Sequence, residues 1–443
     1  MGIPIIIRSL KELSETKAIC LINEKYLPMN FWIIQTGEPL PIDGSNTRGM
    51  RAMNLTKALN ARGHRVVLWS TDFYHQEKKH RFGCDKNIRI SDLLEIRLIT
   101  SRGYQRNIGP ARFFDHAQLG WRFNKLACKV EKPDLAFIGF PPIEIAAAAV
   151  RHCRLRGVPT LLDVKDLWPD LFEDPLPAIA KPLACTLLWP LHHLAKRAIR
   201  ECSGICAPSD GFLEWARRRG GTQSRTADII SPLTSPIQIV SPDEFKSAER
   251  KWDNLGLLAD GRKRAAFIGA LSRSFDLDSI IKAATTEGGK GWQFVICGLG
   301  EAETRLRSHI ALLSNIIMPG WIDRAMINVL LARSTVGLAP YRSIPNFELN
   351  VCNKVYDYMH SGVPIISPLQ GDVRQLLERE QIGFSYKAGS ASGLLEAMER
   401  ATSEGVRNRI RETAMSLYNE RFNATKSYGR LVDHLEQIAT QSK

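Results

Sequence analysis

The chain has 443 residues, of which 44% are hydrophobic and 24% are charged. This balance is typical of globular proteins, excludes fibrous and disordered classes, and at this length predicts two or three domains. The chain has 60 Lys and Arg residues against 46 Asp and Glu residues, which gives a formal net charge of +14 at pH 7. Such an excess leaves nucleic acid, an anionic membrane surface and phosphorylated small molecules open as partners.

The cysteines and the lack of long apolar runs indicate the compartment. The nine cysteines are dispersed and form no C-x-x-C pair, so we expect reduced thiols and no zinc site. No run approaches the ~20 apolar residues that a membrane-spanning helix needs. We therefore expect a soluble, cytoplasmic protein without a metal centre.

The regular pattern of strands and helices begins at Met29, and residues 1–28 are predicted to be an N-terminal extension of unknown role. From there, short apolar runs alternate with amphipathic helical stretches, which is typical of a parallel, doubly wound sheet. The first series of predicted strands covers 31–35, 66–70, 135–140, 160–164 and 204–208, and the second covers 265–269, 293–297, 336–339 and 363–367.

Two series of strands predict two α/β domains. We place an N-terminal domain at 29–225, a linker at 226–262 and a C-terminal domain at 263–420. Residues 421–443 predict a helix, and a return to the N-terminal domain is one option for it. Because ligands of parallel sheets bind at the carboxyl ends of the strands, the cleft between the domains is the expected site.

Two glycine-rich turns and one helix carry the candidate chemistry. The loop 37–48 and the turn Gly298-Leu-Gly300 let backbone N–H groups approach a phosphate, but Glu303 stands where a dinucleotide fingerprint needs glycine. Lys354 and Asp357 lie three residues apart, on one face of a predicted helix. A cation there suits a diphosphate and a carboxylate suits ribose hydroxyls, while an ordinary surface ion pair is the alternative.

The segment Asp357-Tyr-Met-His-Ser-Gly-Val-Pro364 resembles the donor-binding signature of family-4 retaining glycosyltransferases of the GT-B fold. Asp166-Leu-Trp-Pro-Asp170 is similar to a motif of the subgroup that builds bacterial surface polysaccharides. Phe267-Ile-Gly269, Gly298-Leu-Gly300 and Pro319-Gly320-Trp321-Ile322 resemble, in the same order, further segments of the family's donor domain. The resemblance implies an α/β fold of two Rossmann-like domains that face each other across a cleft.

The resemblance also implies roles for individual residues. Donor binding falls on Asp357 at the ribose, on Lys354, Arg273 and Gly44 at the diphosphate, on the turn Gly298 and Gly300, and on Gly320, Trp321 and Ile322 around the base. The candidate catalytic residues are Asp166 near the acceptor hydroxyl, Lys354 and Glu348. One departure from the family is Leu349, because an acid commonly stands eight positions before the one at 357. Glu348, one place earlier, is a possible substitute for it.

The stretch 179–200 places several leucines and Trp189 beside Lys and Arg residues. Such a face suits a helix on anionic lipid, and a helix packed on its own sheet is the alternative. Pro182 and Pro190 are predicted to break it into short pieces. Nucleic acid is not an expected partner, because the basic residues are spread out and lack interleaved aromatics.

The resemblance implies transfer of a hexosyl or N-acetylhexosaminyl group, with retention, from a nucleoside diphosphate sugar, best read as UDP-linked. The acceptor would be a saccharide or a polyprenyl-linked molecule. The reaction would belong to bacterial polysaccharide or lipopolysaccharide biosynthesis, at the inner face of the plasma membrane. The nucleotide sugar is then a substrate, and no cofactor or metal is expected. The alternatives are a sugar-nucleotide 2-epimerase and, given Leu349, a non-catalytic nucleotide-sugar-binding subunit.

Overall fold

The computed structural model describes residues 27–44, 49–107, 109–174 and 176–442, so nearly all of the predicted N-terminal extension lies outside the described residues. Ten strands belong to the N-terminal domain: β1 Asn30–Ile34, β2 Arg65–Thr71, β3 Phe73–Tyr74, β4 Lys79–His80, β5 Lys86–Arg89, β6 Leu94–Ile99, β7 Leu135–Phe140, β8 Thr160–Val164, β9 Gly204–Ala207 and β10 Ile229–Ile230. Eight of them form one sheet in the order β10-β9-β8-β7-β1-β2-β6-β5, parallel except for the β5/β6 pair, and β3 and β4 form a hairpin.

Helices cover both faces of this sheet: α1 Arg51–Ala61, α2 Pro110–Ala127, α3 Ile143–Leu155, α4 Asp170–Glu173, α5 Lys181–Glu201 and α6 Asp210–Gly220. Alternate side chains of β1 serve two cores, because successive residues of a strand point to opposite faces. Trp32 packs with Phe123 and Val150 in one core, and Phe31 packs with Leu55 and Leu431 in the other.

The C-terminal domain has a second parallel sheet, in the order β13-β12-β11-β14-β15-β16. Its strands are β11 Lys263–Ile268, β12 Trp292–Cys297, β13 Ile316–Gly320, β14 Val336–Leu338, β15 Ile365–Ser367 and β16 Gly383–Ser385. The later helices are α7 Pro242–Asn254, α8 Leu277–Thr285, α9 Glu287–Lys290, α10 Glu303–Ile310, α11 Arg324–Ala332, α12 Pro345–Glu348, α13 Asn353–His360, α14 Asp372–Glu380, α15 Ala391–Arg400, α16 Glu404–Leu417 and α17 Ala424–Gln441. The predicted fold class, two Rossmann-like α/β domains, is confirmed.

The connection between the domains is shorter than the predicted linker 226–262. Strand β10 still pairs with β9, and α7 already packs on the C-terminal domain, where Trp252 Nε1 donates to the Met326 carbonyl at 2.9 Å. The chain crosses back after α16, and α17 lies on the N-terminal core, where Tyr428 OH donates to the Thr234 carbonyl at 3.2 Å. The chain therefore crosses between the domains twice, beside the cleft.

The prediction that prolines divide the stretch 179–200 is wrong, since α5 is one helix of 21 residues. Pro182 stands in the first turn, where the backbone N–H has no partner within the helix. Pro190 lies inside the helix, whose second half is fixed by burial of Ala195, Ala198 and Ile199. The half before Pro190 stays largely exposed, so water can solvate the backbone carbonyl group that lacks an N–H partner at the proline.

Candidate active site

A cavity of about 840 Å³ lies between the domains, where the carboxyl ends of the strands meet. Residues 35–39 after β1, Lys165 and Asp166 after β8, and the turn after β2 form its N-terminal side. Tyr341 and the segment 346–353 contribute the C-terminal side. The topology of both sheets therefore directs polar residues from distant parts of the chain into one cleft.

Asp166 lies in this cavity at a point of contact between the domains. Asn346 Nδ2 donates to Asp166 Oδ1 at 3.2 Å, and the Leu167 amide donates to Asn346 Oδ1 at 2.9 Å. Burial raises the pKa of Asp166 above the usual carboxyl value. The side chain suits a group that orients an acceptor hydroxyl, and one asparagine of the C-terminal domain fixes its position.

A buried polar network supports the floor of the cleft, and the sequence interpretation missed it. Lys165 Nζ donates to Gln35 Oε1 at 2.7 Å and to Glu38 Oε1 at 2.8 Å. Behind it, Arg51 pairs with Asp163 at 2.9 Å, with both side chains almost fully buried. Each of these residues lies at the end of a buried strand, in the loop after one, or at the start of α1. A polar residue at such a position is the feature of the sequence that could have identified the network.

Lys354 is enclosed by aromatic rings in the C-terminal domain. Its Nζ lies 3.7 Å from the ring centroid of Phe275, 4.2 Å from that of Tyr341 and 4.9 Å from that of Phe267. Its only described side-chain hydrogen bond goes to Tyr341 OH, at 3.2 Å. Burial lowers the pKa of Lys354 to about 7, while cation–π attraction of the three rings favours the protonated form.

The glycine turns at the ends of β11 and β12 pack directly against each other. Gly298 has φ of +136°, and a Cβ atom there would lie 1.8 Å from the Gly269 carbonyl oxygen. A Cβ atom at Gly269 would lie 3.1 Å from Lys354 Nζ, so the ammonium group sits beside these turns. The amides of Gly269 and Gly298 already donate to the carbonyls of Cys297 and Gly320, at 3.0 and 2.8 Å. What the turns contribute is therefore a close backbone surface beside the Lys354 ammonium group.

Asp357 pairs with Arg324, not with Lys354. The Arg324 Nη1–Asp357 Oδ1 distance is 3.1 Å, and both side chains are mostly buried. The surface ion pair between Lys354 and Asp357, considered as an alternative, is therefore absent from the described structure. Arg324 also has buried Nε and Nη2 atoms that lack a partner among the described residues. It was missed in the sequence, although it directly follows the segment expected around the base.

Glu348 is not among the residues that line the cavity. Its carboxylate accepts hydrogen bonds from Ser343 Oγ at 2.5 Å and from the amides of Gln370 and Gly371 at 2.7 and 2.6 Å. It thus caps the segment that opens α14. Leu349, at the place of the family's acid, packs against Gly211 of the N-terminal domain.

The other predicted donor residues are scattered around the turns. The Arg273 side chain is 93% exposed and lies 3.6 Å from Glu301. Trp321 is 70% exposed, whereas Ile322 packs in the C-terminal core, so only its backbone remains for a base. Gly44 is exposed on the loop of the N-terminal domain and does not line the cavity.

Two features lie outside the cleft. Within the described residues, Glu173, Cys185 and His192 could each offer a metal ligand atom, but His192 already bonds Glu173 and accepts from Arg219. None of the described helices combines the length and the apolar character that a bilayer-spanning segment requires. The first half of α5 nevertheless exposes a stripe of apolar side chains: Leu183 at 66%, Leu187 at 72% and Trp189 at 64%.

Comparisons with known proteins fit this geometry. A model described as glycosyl transferase 4-like domain matches residues 48–229, and one described as glycosyl transferases group 1 matches residues 262–404. None of the curated proteins matches the chain significantly. Among solved structures, HepE of Anabaena in complex with UDP-glucose has a TM-score of 0.62 and 14% identity, over 92% of this chain and 100% of that one.

Two further structures share the fold at similarly low identity. Sucrose-phosphate synthase of Thermosynechococcus elongatus has a TM-score of 0.65 and 15% identity, over 92% of this chain and 99% of that one. The catalytic domain of starch synthase IV of Arabidopsis thaliana, bound to ADP and acarbose, has 0.63 and 14%, over 94% and 99%. Both domains match glycosyltransferase models on a two-domain fold of this class, and the chain therefore belongs to the GT-B glycosyltransferases.

Proposed function

We propose that the protein transfers a hexosyl or N-acetylhexosaminyl group from a UDP-sugar to a saccharide or lipid-linked acceptor, with retention, in bacterial polysaccharide or lipopolysaccharide biosynthesis. The observation that carries the proposal is Lys354, a buried cation beside the glycine turns of the C-terminal sheet. In this proposal the nucleotide sugar is a substrate, and no cofactor or metal takes part.

The chemistry follows from where charge develops. Departure of the nucleoside diphosphate leaves negative charge on its terminal oxygen, which Lys354 and the N-terminus of α13 stabilise. Asp357 would accept hydrogen bonds from the ribose, and Arg324 holds that carboxylate in place at 3.1 Å. The acceptor attacks from the face that the diphosphate leaves, a diphosphate oxygen takes its proton, and Asp166 orients the attacking hydroxyl.

Thermal unfolding of the full chain with a panel of nucleotide sugars tests donor binding, because selective ligands raise the apparent stability. A labelled sugar from the stabilising donor should then appear in an acceptor product. Free epimer without transfer would instead identify a 2-epimerase, and binding without any product would identify a non-catalytic subunit. Asp357→Asn should weaken stabilisation by the donor, whereas Asp278→Asn, at an exposed site on α8, should leave it unchanged.

We also propose that the exposed stripe of α5 touches an anionic membrane on the cytoplasmic side. Helix α5 begins on the side of the sheet where β8 ends, which is the side of the cleft. Lys181, in the first turn of α5, complements anionic headgroups, and Leu183, Leu187 and Trp189 would enter the interface. A lipid-linked acceptor could then reach the cleft without leaving the membrane.

A further inference from the structure

Four side chains form a cationic cluster on the side of the cleft that the N-terminal domain provides: His75, Lys78, Tyr104 and Arg112. Lys78 Nζ lies 4.8 Å and Arg112 Cζ 5.4 Å from the ring centroid of Tyr104. Lys78 Nζ donates to His75 Nδ1 at 3.0 Å, and Tyr104 OH lies 2.7 Å from the same nitrogen. His75, Tyr104 and Arg112 line the cavity of about 840 Å³.

The two cations of the cluster have neutral partners. Lys78 Nζ donates to Asn107 Oδ1, and Arg112 Nη1 donates to the Asn107 carbonyl, both at 2.6 Å. Within the described residues neither forms an ion pair with a carboxylate, and Arg112 Nε is buried without a partner. Two like charges so close repel each other, and this repulsion adds to burial in lowering the pKa of Lys78.

Backbone features add to the positive potential. Arg112 lies in the first turn of α2, which has no acidic residue there and no capping side chain. A helix N-terminus favours anions, so a cation at this position is unfavourable unless an anion compensates it. Lys78 adopts a left-handed backbone with φ of +55° in the turn between β3 and β4.

The carboxylates around the cluster are engaged elsewhere. Asp115 Oδ1 accepts from the Gly103 amide at 2.6 Å, Asp166 bonds Asn346, and Glu38 pairs with Lys165 at 2.8 Å. Glu144 lies 3.6 Å from His116. Because the Lys78 ammonium group donates to Nδ1 of His75, the proton of the neutral ring is on Nε2, which provides one more donor. The described residues therefore supply no carboxylate that pairs with the two cations of the cluster.

We propose that this cluster binds a phosphate or diphosphate group carried by the acceptor, which specifies the acceptor class of the transfer proposed above and rests on that function. Arg112 stacks on Trp168 at 4.8 Å, and Trp168 contacts Phe172 at 4.5 Å. Phe172 belongs to α4, which packs against α5. This aromatic path leads from the anion site to the helix that packs against α5, and a prenyl diphosphate would place its diphosphate at the cluster and its chain along the path. A sugar phosphate is the other source of the same chemistry.

Calorimetric titration of the full chain, kept saturated with UDP so that the donor site is occupied, tests the site. Farnesyl diphosphate and glucose 1-phosphate are the probes, and farnesol is the control for apolar binding. Binding of either phosphate identifies the source, and the double variant Lys78→Gln, Arg112→Gln should weaken it by about tenfold or more. Arg112→Lys should retain part of the affinity, and Arg102→Gln, at an exposed neighbouring position, should retain all of it.

The outcomes separate the two proposals. If the UDP-saturated chain binds neither phosphate, or if the double variant binds them as the unmodified chain does, the anion site is wrong while UDP binding still supports the donor site. If the unmodified chain does not bind UDP, the proposed function itself fails. Equal unfolding midpoints of the unmodified chain and the double variant show that the comparison is made on folded protein.

Discussion

The two halves of the cleft are built differently. The C-terminal half concentrates its chemistry in glycine turns and one helix, where Lys354 is buried among three aromatic rings and packed beside Gly269. The N-terminal half contributes residues 35–39, Lys165 and Asp166 to the open cavity between the domains, and Tyr341 and the segment 346–353 line its other side. Under the proposed function, the tightly packed turns would recognise the nucleotide by shape. The residues of the N-terminal half would then recognise the acceptor through charge.

The largest effect is expected at the buried cation of the C-terminal half. Lys354→Met should lower the transfer rate by about 10²–10³-fold, because the leaving diphosphate loses a charge-assisted donor. The rate is measured with saturating donor, and the exposed Lys282→Met on α8 is the matched control. Nearly unchanged transfer by a folded Lys354→Met variant would remove the contrast between the halves.

The rigidity of the glycine turns gives the next effect. Gly298→Ala forces a Cβ atom against the Gly269 carbonyl, a backbone atom that cannot move aside, and should lower the free energy of unfolding by about 2–4 kcal/mol. Gly405→Ala, on a helix with nothing within 4 Å of the new Cβ, should be neutral or slightly stabilising. Chemical denaturation measures both, and similar midpoints for the two variants would contradict the packing argument.

The same contrast explains which parts of the site were predictable. Lys354 and Asp357 share one short helix, so their spacing in the sequence was enough to identify them as candidate site residues. Arg324 stands 33 positions from its partner Asp357, and only the packing of α11 beside α13 brings them together. The cluster of His75, Lys78 and Arg112 comes from a hairpin and a helix with no common motif. Sites assembled from distant elements leave no local pattern in one sequence.

The strands show a similar division. Buried central strands such as Leu135–Phe140 and Thr160–Val164 are continuous apolar runs, and the predictions for them are confirmed. Seven others were missed, among them β6, which alternates apolar residues with Glu95 and Arg97, β13, which contains a proline and a glycine, and β16, which has three residues. Strands near or at a sheet edge bury less surface and need a weaker apolar signal.

A pH dependence should separate the halves further. Since the folded pKa of Lys354 is lowered to about 7 from 10.5, diphosphate binding above pH 7 requires uptake of a proton. The Kd for UDP should therefore rise by up to about tenfold per pH unit above 7, and Lys354→Met should abolish that slope. Calorimetry between pH 6 and 9 measures it. A flat profile in the unmodified chain would show that Lys354 does not meet the diphosphate.

The sign for stability is opposite to that for binding. Between about pH 7 and 10.5 the unfolded chain holds a proton on Lys354 that the folded chain has lost. The contribution of this lysine to the stability of the ligand-free protein therefore increases with pH through that window. Denaturation midpoints of the unmodified chain relative to Lys354→Met should diverge in this direction.

The smallest effect is expected for the exposed stripe of α5, which belongs to the N-terminal domain. Replacing Leu187 and Trp189 by serine should reduce binding to anionic vesicles by about tenfold or more, because two exposed apolar side chains no longer leave water. Leu155→Ser is the matched control, since Leu155 is 71% exposed but ends α3 at the end of the sheet away from the cleft. If Leu155→Ser reduces binding equally, contact is unspecific and the acceptor half has no preferred orientation. If only the α5 variant does so, the membrane lies on the side of the cleft, where a lipid-linked acceptor enters.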